Sequence, residues 1–162
     1  MIAYIGSFLI LLAFLNALLL ITSKPILSKI TADYESIVLS SSKLLFPLTL
    51  FSFICLIFSF LLDDFSLRYV SSNSNSLLPD HYKISATWAG HEGSMLLWCL
   101  VLSFWTFLAS IYSRNLELDF RLNFLSIMGL LNLGFLAFLI FTSNPFEKNM
   151  SIPVDGKDLN PL

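Results

Sequence analysis

The sequence predicts an all-α, polytopic integral membrane protein with four transmembrane helices and one long extramembrane loop. Three observations predict it. Of 162 residues, 56% are hydrophobic and only 12% charged, whereas a soluble domain draws about a quarter of its residues from the charged set. Four stretches of about 20 residues carry no Asp, Glu, Lys, Arg or His, the length a helix needs to cross about 30 Å of hydrocarbon. None of the four alternates polar and apolar residues as barrel strands do, and only helices or closed barrels satisfy their backbone in lipid.

The first span is read at 2–21, interrupted by Gly6, Ser7 and Asn16. It is not a cleavable signal peptide: no basic segment precedes it, its apolar run is too long, and no small-x-small cleavage site follows. The second, 44–62, is bracketed by Lys43 and the Asp63-Asp64 pair, with Pro47 expected in its first turn, where a missing N–H is harmless. The third, 94–112, carries Trp98 and Trp105, and the fourth, 122–142, lies between Arg121 and an Asn144-Pro145 stop. Asn16 and Asn132 are amides inside spans, expected to face other helices because an amide in lipid seeks a partner. Gly129 and Gly134 permit close helix approach, although their spacing is not GxxxG.

Charge and cysteine usage narrow the function classes. A net charge of −2 without a basic block argues against nucleic acid as a partner. Cys55 and Cys99 sit in apolar runs and read as small buried hydrophobes, not as a disulfide framework or metal site. One face of the membrane receives Lys24, Lys29, Lys43, Arg114 and Arg121; the other receives Arg68, Lys83, Lys148 and Lys157. That asymmetry favours the N-terminus, the 63–93 loop and the 143–162 tail on the outer side. Pumps and transporters usually bury ionisable groups in their spans, which counts against an ion path here. A non-enzymatic subunit of a transporter or respiratory complex stays as the alternative function class.

The loop holds the informative residues. Phe65, Leu67 and Tyr69 alternate with Ser66 and Arg68, which suggests a short extended piece, and the Ser-Asn run at 71–76 with Pro79 marks an exposed turn. Both histidines, His81 and His91, lie in the loop. From Trp88 onward, Trp88, His91, Met95, Trp98, Leu102 and Trp105 are spaced 3, 4, 3, 4 and 3 apart, one face of a helix. His91-Glu92 would then sit at the membrane surface, and Gly90 and Gly93 beside it admit close approach of another backbone, helix or flat ligand. Interfacial anchoring accounts for Trp88 and Trp98, packing for Trp105, and a hydrogen-bonded loop histidine for His91. HEGS is not HExxH, because position 95 is Met, so no metal site is expected. A Ser94-His91-Asp80 triad would need a geometry that spacing does not supply.

The stretch DFSLRYVSSNSNSLLPDHYKISATWAGHEGSMLLW and the tail TSNPFEKNMSIPVDGKDLNPL together resemble the start of the CcmF family, the large membrane subunit of the cytochrome c maturation haem lyase. Trp88, Gly90, His91, Glu92, Gly93, Ser94 and Trp98 match its motif; Ala89 departs where the family usually has glycine. The resemblance implies an inner-membrane protein, bacterial or mitochondrial, that helps attach haem covalently to CXXCH cysteines of apocytochrome c. It also implies work beside a haem chaperone and a thiol-handling subunit. The family's tryptophan-rich haem-handling segment and its haem-ligand histidines would lie beyond this sequence. The chain is therefore expected to be the N-terminal part of a larger assembly (split subunit, truncated gene or fragment), unable to attach haem alone and without catalytic residues of its own. The nitrite-reductase-type branch of the same lyase family stays as an alternative to that reading.

Overall fold

The computed structural model describes residues 1–22 and 33–157. Lys24, Lys29 and the whole DLNPL run at 158–162 lie outside the described residues. Six α-helices occur among those described: α1 (Ile2–Thr22), α2 (Tyr34–Leu61), α3 (Arg68–Asn73), α4 (Asp80–Ala86), α5 (His91–Tyr112) and α6 (Leu118–Phe141), with a 3-10 turn, Ser113–Asn115, before the last. Four of them, α1, α2, α5 and α6, are long and apolar enough to cross a membrane. The protein is an integral membrane protein of four spanning helices, as the sequence predicts.

The four spans close a ring: α1 packs on α2, α2 on α5, α5 on α6, and α6 back on α1. Lipid tails are as apolar as leucine, so burial in the hydrophobic sense does not drive this association; small residues and side-chain hydrogen bonds do. The buried face of α1 is Ala3, Gly6, Ile10, Ala13, Ala17 and Leu20, a spacing of three and four that keeps small residues on one stripe. Nearly every seam carries a polar bond. Asn16 donates to the Ser41 carbonyl at 2.8 Å and Ser52 to the Gly6 carbonyl at 3.0 Å, joining α1 and α2. The hydroxyls of Thr49 and Ser103 meet at 2.6 Å between α2 and α5. Asn132 donates to Thr106 Oγ1 at 2.8 Å between α6 and α5. Where α6 meets α1, Gly129 lies directly under Leu20. Asn16 and Asn132 thus both face neighbouring helices.

Three boundaries differ from the expected ones. α2 starts ten residues before 44, at Tyr34, because Val38, Ser41, Ser42 and Leu45 continue its buried stripe; Pro47 is therefore inside the helix rather than in its first turn. α5 starts at His91 instead of 94, with Gly90 in an extended conformation as its N-cap. α6 starts at Leu118 instead of 122. The extended piece expected at 65–69 shrinks to Leu67, which forms an isolated antiparallel bridge with Lys148. Helix α3 follows immediately, and Tyr69 and Val70, neighbours in sequence, are both buried.

The segment from Asp63 to Gly90 is not an open loop. Asp63 takes a left-handed backbone, φ 52°, and turns the chain sharply off α2. Its Oδ2 accepts a 2.6 Å bond from Lys83 Nζ, whose side chain is only 5% exposed, so α4 is pinned back against the end of α2.

Candidate functional site

The motif from Trp88 to Trp98 joins α4 to α5, and one buried tyrosine organises it. Tyr69, on α3, is 3% exposed and rests edge-on against Phe60 of α2, with ring centroids 5.3 Å apart. Its hydroxyl donates toward the carbonyls of Ala86 and Thr87, each at 3.2 Å, and accepts the Gly90 N–H at 3.1 Å. Burial raises the phenol pKa above its ordinary value, and the Glu92 carboxylate adds to that. Tyr69 therefore stays a neutral donor and acceptor.

Gly90 and Gly93 are glycines because of what lies against them. A Cβ on Gly90 would meet Tyr69 Cε2 at 2.6 Å, and one on Gly93 would collide with the Thr87 carbonyl oxygen. The backbone that approaches them closely is the chain's own. Sequence spacing predicts the close approach but not its partner.

His91 opens α5. Its Nδ1 lies 3.0 Å from Ser143 Oγ at the end of α6, and its ring packs edge-on against Phe138 at 6.0 Å. The hydroxyl of Ser94 turns back to the His91 carbonyl at 3.0 Å. A Ser94-His91-Asp80 triad is thus not assembled: the imidazole is held by Ser143, and Ser94 is occupied with backbone. His81 stacks on Tyr82 at 4.3 Å on exposed α4, in different surroundings from His91.

Below His91 a groove of about 510 Å³ opens between α5 and α6, lined by His91, Met95, Leu130, Gly134, Phe135 and Phe138. Gly134 has nothing within 4 Å of where a Cβ would sit. Trp88, Trp98 and Trp105 are 42%, 59% and 57% exposed. Within these four helices Trp105 is not buried: the buried face of α5 is Gly93, Leu96, Cys99, Ser103, Thr106 and Ser110, and Trp98 and Trp105 lie off it, Trp105 against Phe104.

The tail is laced to the same platform. Asn149 N–H donates to the Ser66 carbonyl at 2.8 Å, and Lys157 N–H to the Ser71 carbonyl at 2.8 Å. The Asn149 side chain donates to Phe65 O and Ser71 Oγ, both at 2.9 Å, and Arg68 pairs with Glu147 at 3.1 Å. Asp155 accepts from Ser76 N–H at 2.9 Å and Ser76 Oγ at 2.7 Å, bonds that hold its carboxyl below the usual range. Gly156 lies against the Ser74 carbonyl. Lys148 Nζ reaches the Tyr4 hydroxyl and Phe146 covers Gly6. The N-terminus, the 63–90 segment and the tail therefore share one end of the bundle. Tyr69, Lys83, Ser143 and Asp155 carry this platform, and sequence reasoning did not single them out; each acts on a residue distant in the chain.

Comparison with known proteins gives a consistent set of likenesses. The profile of the family described as "Cytochrome C assembly protein" matches residues 88–162. Cytochrome c-type biogenesis protein CcmF of Pseudomonas fluorescens is 52% identical over 118 residues, covering 72% of this chain and 18% of the relative. CcmF of Escherichia coli (strain K12) is 42% identical over 163 residues, covering 98% of this chain and 25% of the relative. Cytochrome c-type biogenesis protein NrfE of Haemophilus influenzae is 46% identical over 107 residues. Among solved structures, "Cytochrome c Heme Lyase CcmF" superposes with a TM-score of 0.80 at 25% identity, over 91% of this chain and 25% of that one. The chain spans between 18% and 25% of the length of these CcmF relatives.

Proposed function

The chain belongs to the CcmF family of cytochrome c-type biogenesis proteins, and from that premise we propose that it works in the covalent attachment of haem to apocytochrome c. The observation that carries this reading is the likeness to a haem lyase over nearly the whole chain, at a TM-score of 0.80. The chain forms one transmembrane module of the haem lyase, with the remainder of the CcmF length, a haem chaperone, a thiol-handling subunit and apocytochrome c as partners. It lies in the inner membrane of a bacterium or mitochondrion, with the N-terminus, the 63–93 platform and the tail on the outer side.

Haem is handled by the assembly rather than ligated by these residues. A haem iron with two protein ligands needs two donors facing one another. His91 Nδ1 is held by Ser143 and His81 lies on another element against Tyr82, so among the described residues the two histidines do not form a facing pair of ligands. This chain's contribution is positional. The WAGHEGS turn, clamped by Tyr69 and tied to Ser143 through His91, forms part of the vestibule wall, and His91 and Glu92 act by hydrogen bonding within the assembly or to a partner. Trp88 opens that turn, and Trp98 lies two turns further along α5.

Replacing His91 by Ala in a complete maturation system tests the assignment. The haem spectrum of the assembly is expected to persist while the yield of holocytochrome c falls. Loss of the haem spectrum from a correctly folded, membrane-inserted variant would show His91 to be an iron ligand. Deleting the gene in its own host tests the wider reading: unchanged levels of covalent c-type cytochromes would refute it.

A further inference from the structure

The platform end of the seam between α1 and α6 carries polar groups that the fold leaves over. A groove of about 410 Å³ opens there, lined by Tyr4, Ser7, Phe8, Leu11, Ile140 and Asn144. Tyr4, Ser7, Phe8 and Leu11 follow one another at helical spacing, so they share one face of α1. Ser42, Ser59, Ser103 and Ser126 turn their hydroxyls back to a carbonyl three or four residues earlier. Ser7 makes no such bond and has no partner among the described residues. Asn144 accepts the Phe146 N–H at 3.0 Å through Oδ1, and its amide N–H donors are unpaired among the described residues.

Beside these donors stands a positive charge. Arg68 pairs with Glu147 at 3.1 Å and Lys83 with Asp63 at 2.6 Å, whereas Lys148 meets no carboxylate among the described residues. Its ammonium lies 3.8 Å from the centre of the Tyr4 ring and bonds the Tyr4 hydroxyl. The face of an aromatic ring holds a cation in place without cancelling its charge. Tyr4 and Ser7 are three residues apart, about 5 Å along a helix. The groove is therefore graded along its length. A cation stands at the rim, the Ser7 and Asn144 donors lie a turn below, and Phe8, Leu11 and Ile140 follow.

We propose that this groove binds an anionic phospholipid from the leaflet on the platform side. The phosphate sits at Lys148, the glycerol ester carbonyls accept from Ser7 and Asn144, and one acyl chain lies along Phe8, Leu11 and Ile140. Charge selects this occupant. A zwitterionic lipid would bring its own ammonium beside Lys148, and none of the lining residues is acidic. A soluble anion would meet Lys148 and leave the apolar half of the groove unused. A second groove at the same end, between α1 and α2, holds about 460 Å³ and carries Asp63 and Asp64 instead of a lysine. It serves as the internal control.

The proposal does not depend on haem attachment, and its test reads lipid contact. The chain, within the complete maturation assembly, is placed in phosphatidylcholine nanodiscs holding a trace of photo-reactive phosphatidylglycerol or photo-reactive phosphatidylcholine. Adducts are mapped on the peptides after irradiation. Phosphatidylglycerol is expected to label residues 4–11 and 140–144 about fivefold more than phosphatidylcholine does, the gain from one cation near a lipid surface. The groove beside Asp63 and Asp64 should show no such preference. Lys148→Gln should remove the preference and Lys148→Arg should keep it, while excess inorganic phosphate should leave labelling unchanged. Equal labelling by the two lipids, no labelling of the seam, displacement by inorganic phosphate, or a preference that survives Lys148→Gln would each overturn the proposal. Should Lys148→Gln fail to insert, the lipid ratio and the phosphate competition on the unaltered chain decide alone.

Discussion

Glycines in this chain divide by what a methyl group would touch. On Gly93 it would strike the Thr87 carbonyl oxygen, whereas on Gly134 it would meet open space. Gly93→Ala is expected to lower stability by about 1–3 kcal/mol, the range for overpacking a fitted contact. Gly134→Ala is expected to be neutral or stabilising by up to about 1 kcal/mol through helix propensity. Thermal unfolding of the two variants in detergent separates them; equal effects would contradict the placement of Gly93. The same scale governs Asn132, whose amide bonds Thr106 Oγ1 in a fully buried seam while its carbonyl oxygen stays without a partner. Replacement by leucine removes two bonds, to Thr106 Oγ1 and to the Met128 carbonyl, together with one orphaned acceptor. The net loss is expected to be about 0.5–1.5 kcal/mol, since intramembrane bonds of this kind are modest. A loss far above that range in detergent unfolding would mean that Asn132 does more than join α5 to α6.

Among the elements, the spans were legible because hydrophobic length is a property of each segment alone, and all four appear where the sequence places them. Their ends were less legible. A helix continues past the hydrocarbon for as long as its next turn can bury something, and α2 reaches back to Tyr34 because Val38 and Ser41 do so. The candidate site was legible as a motif but not as a geometry: the glycine spacing signalled close approach, while the partners Tyr69 and Thr87 lie up to 24 residues from it. The stripe read from Trp88 through His91, Met95, Trp98, Leu102 and Trp105 holds as helical spacing only from His91, because Trp88 lies in the turn before α5, and periodicity does not say which side of a helix is inside. The tail yields a prediction about pH. The bonds from Ser76 hold the Asp155 carboxyl below its ordinary range, so this contact stabilises the docked tail above the ordinary carboxylate pKa and is lost as pH falls through the lowered one. The Ser76 amide resonance is expected to titrate with an inflection below that of an ordinary aspartate. In Asp155→Asn the inflection should vanish; its persistence would assign the titration to another group.

As a whole, the molecule is a four-helix ring with a laced platform at one end, and the two parts are held by different forces. Small residues and single hydrogen bonds join the spans, while the platform is fastened by backbone pairing between the 63–76 segment and the tail. Composition predicts the four spans. It is silent on the platform, because the serines and asparagines of 71–76 and the run from Asn149 to Lys157 read separately as polar linkers, and only together as donors and acceptors for one another. One consequence concerns the order in which the chain is made. The acceptors on Ser66 and Ser71 emerge before α5 and α6 exist, and their donors at Asn149 and Lys157 come only after α6 has threaded the bilayer in the right direction. A polypeptide whose last span entered backwards, or not at all, would leave those donors on the far side of the membrane from their acceptors, so the platform can close only on a chain whose spans have threaded in register.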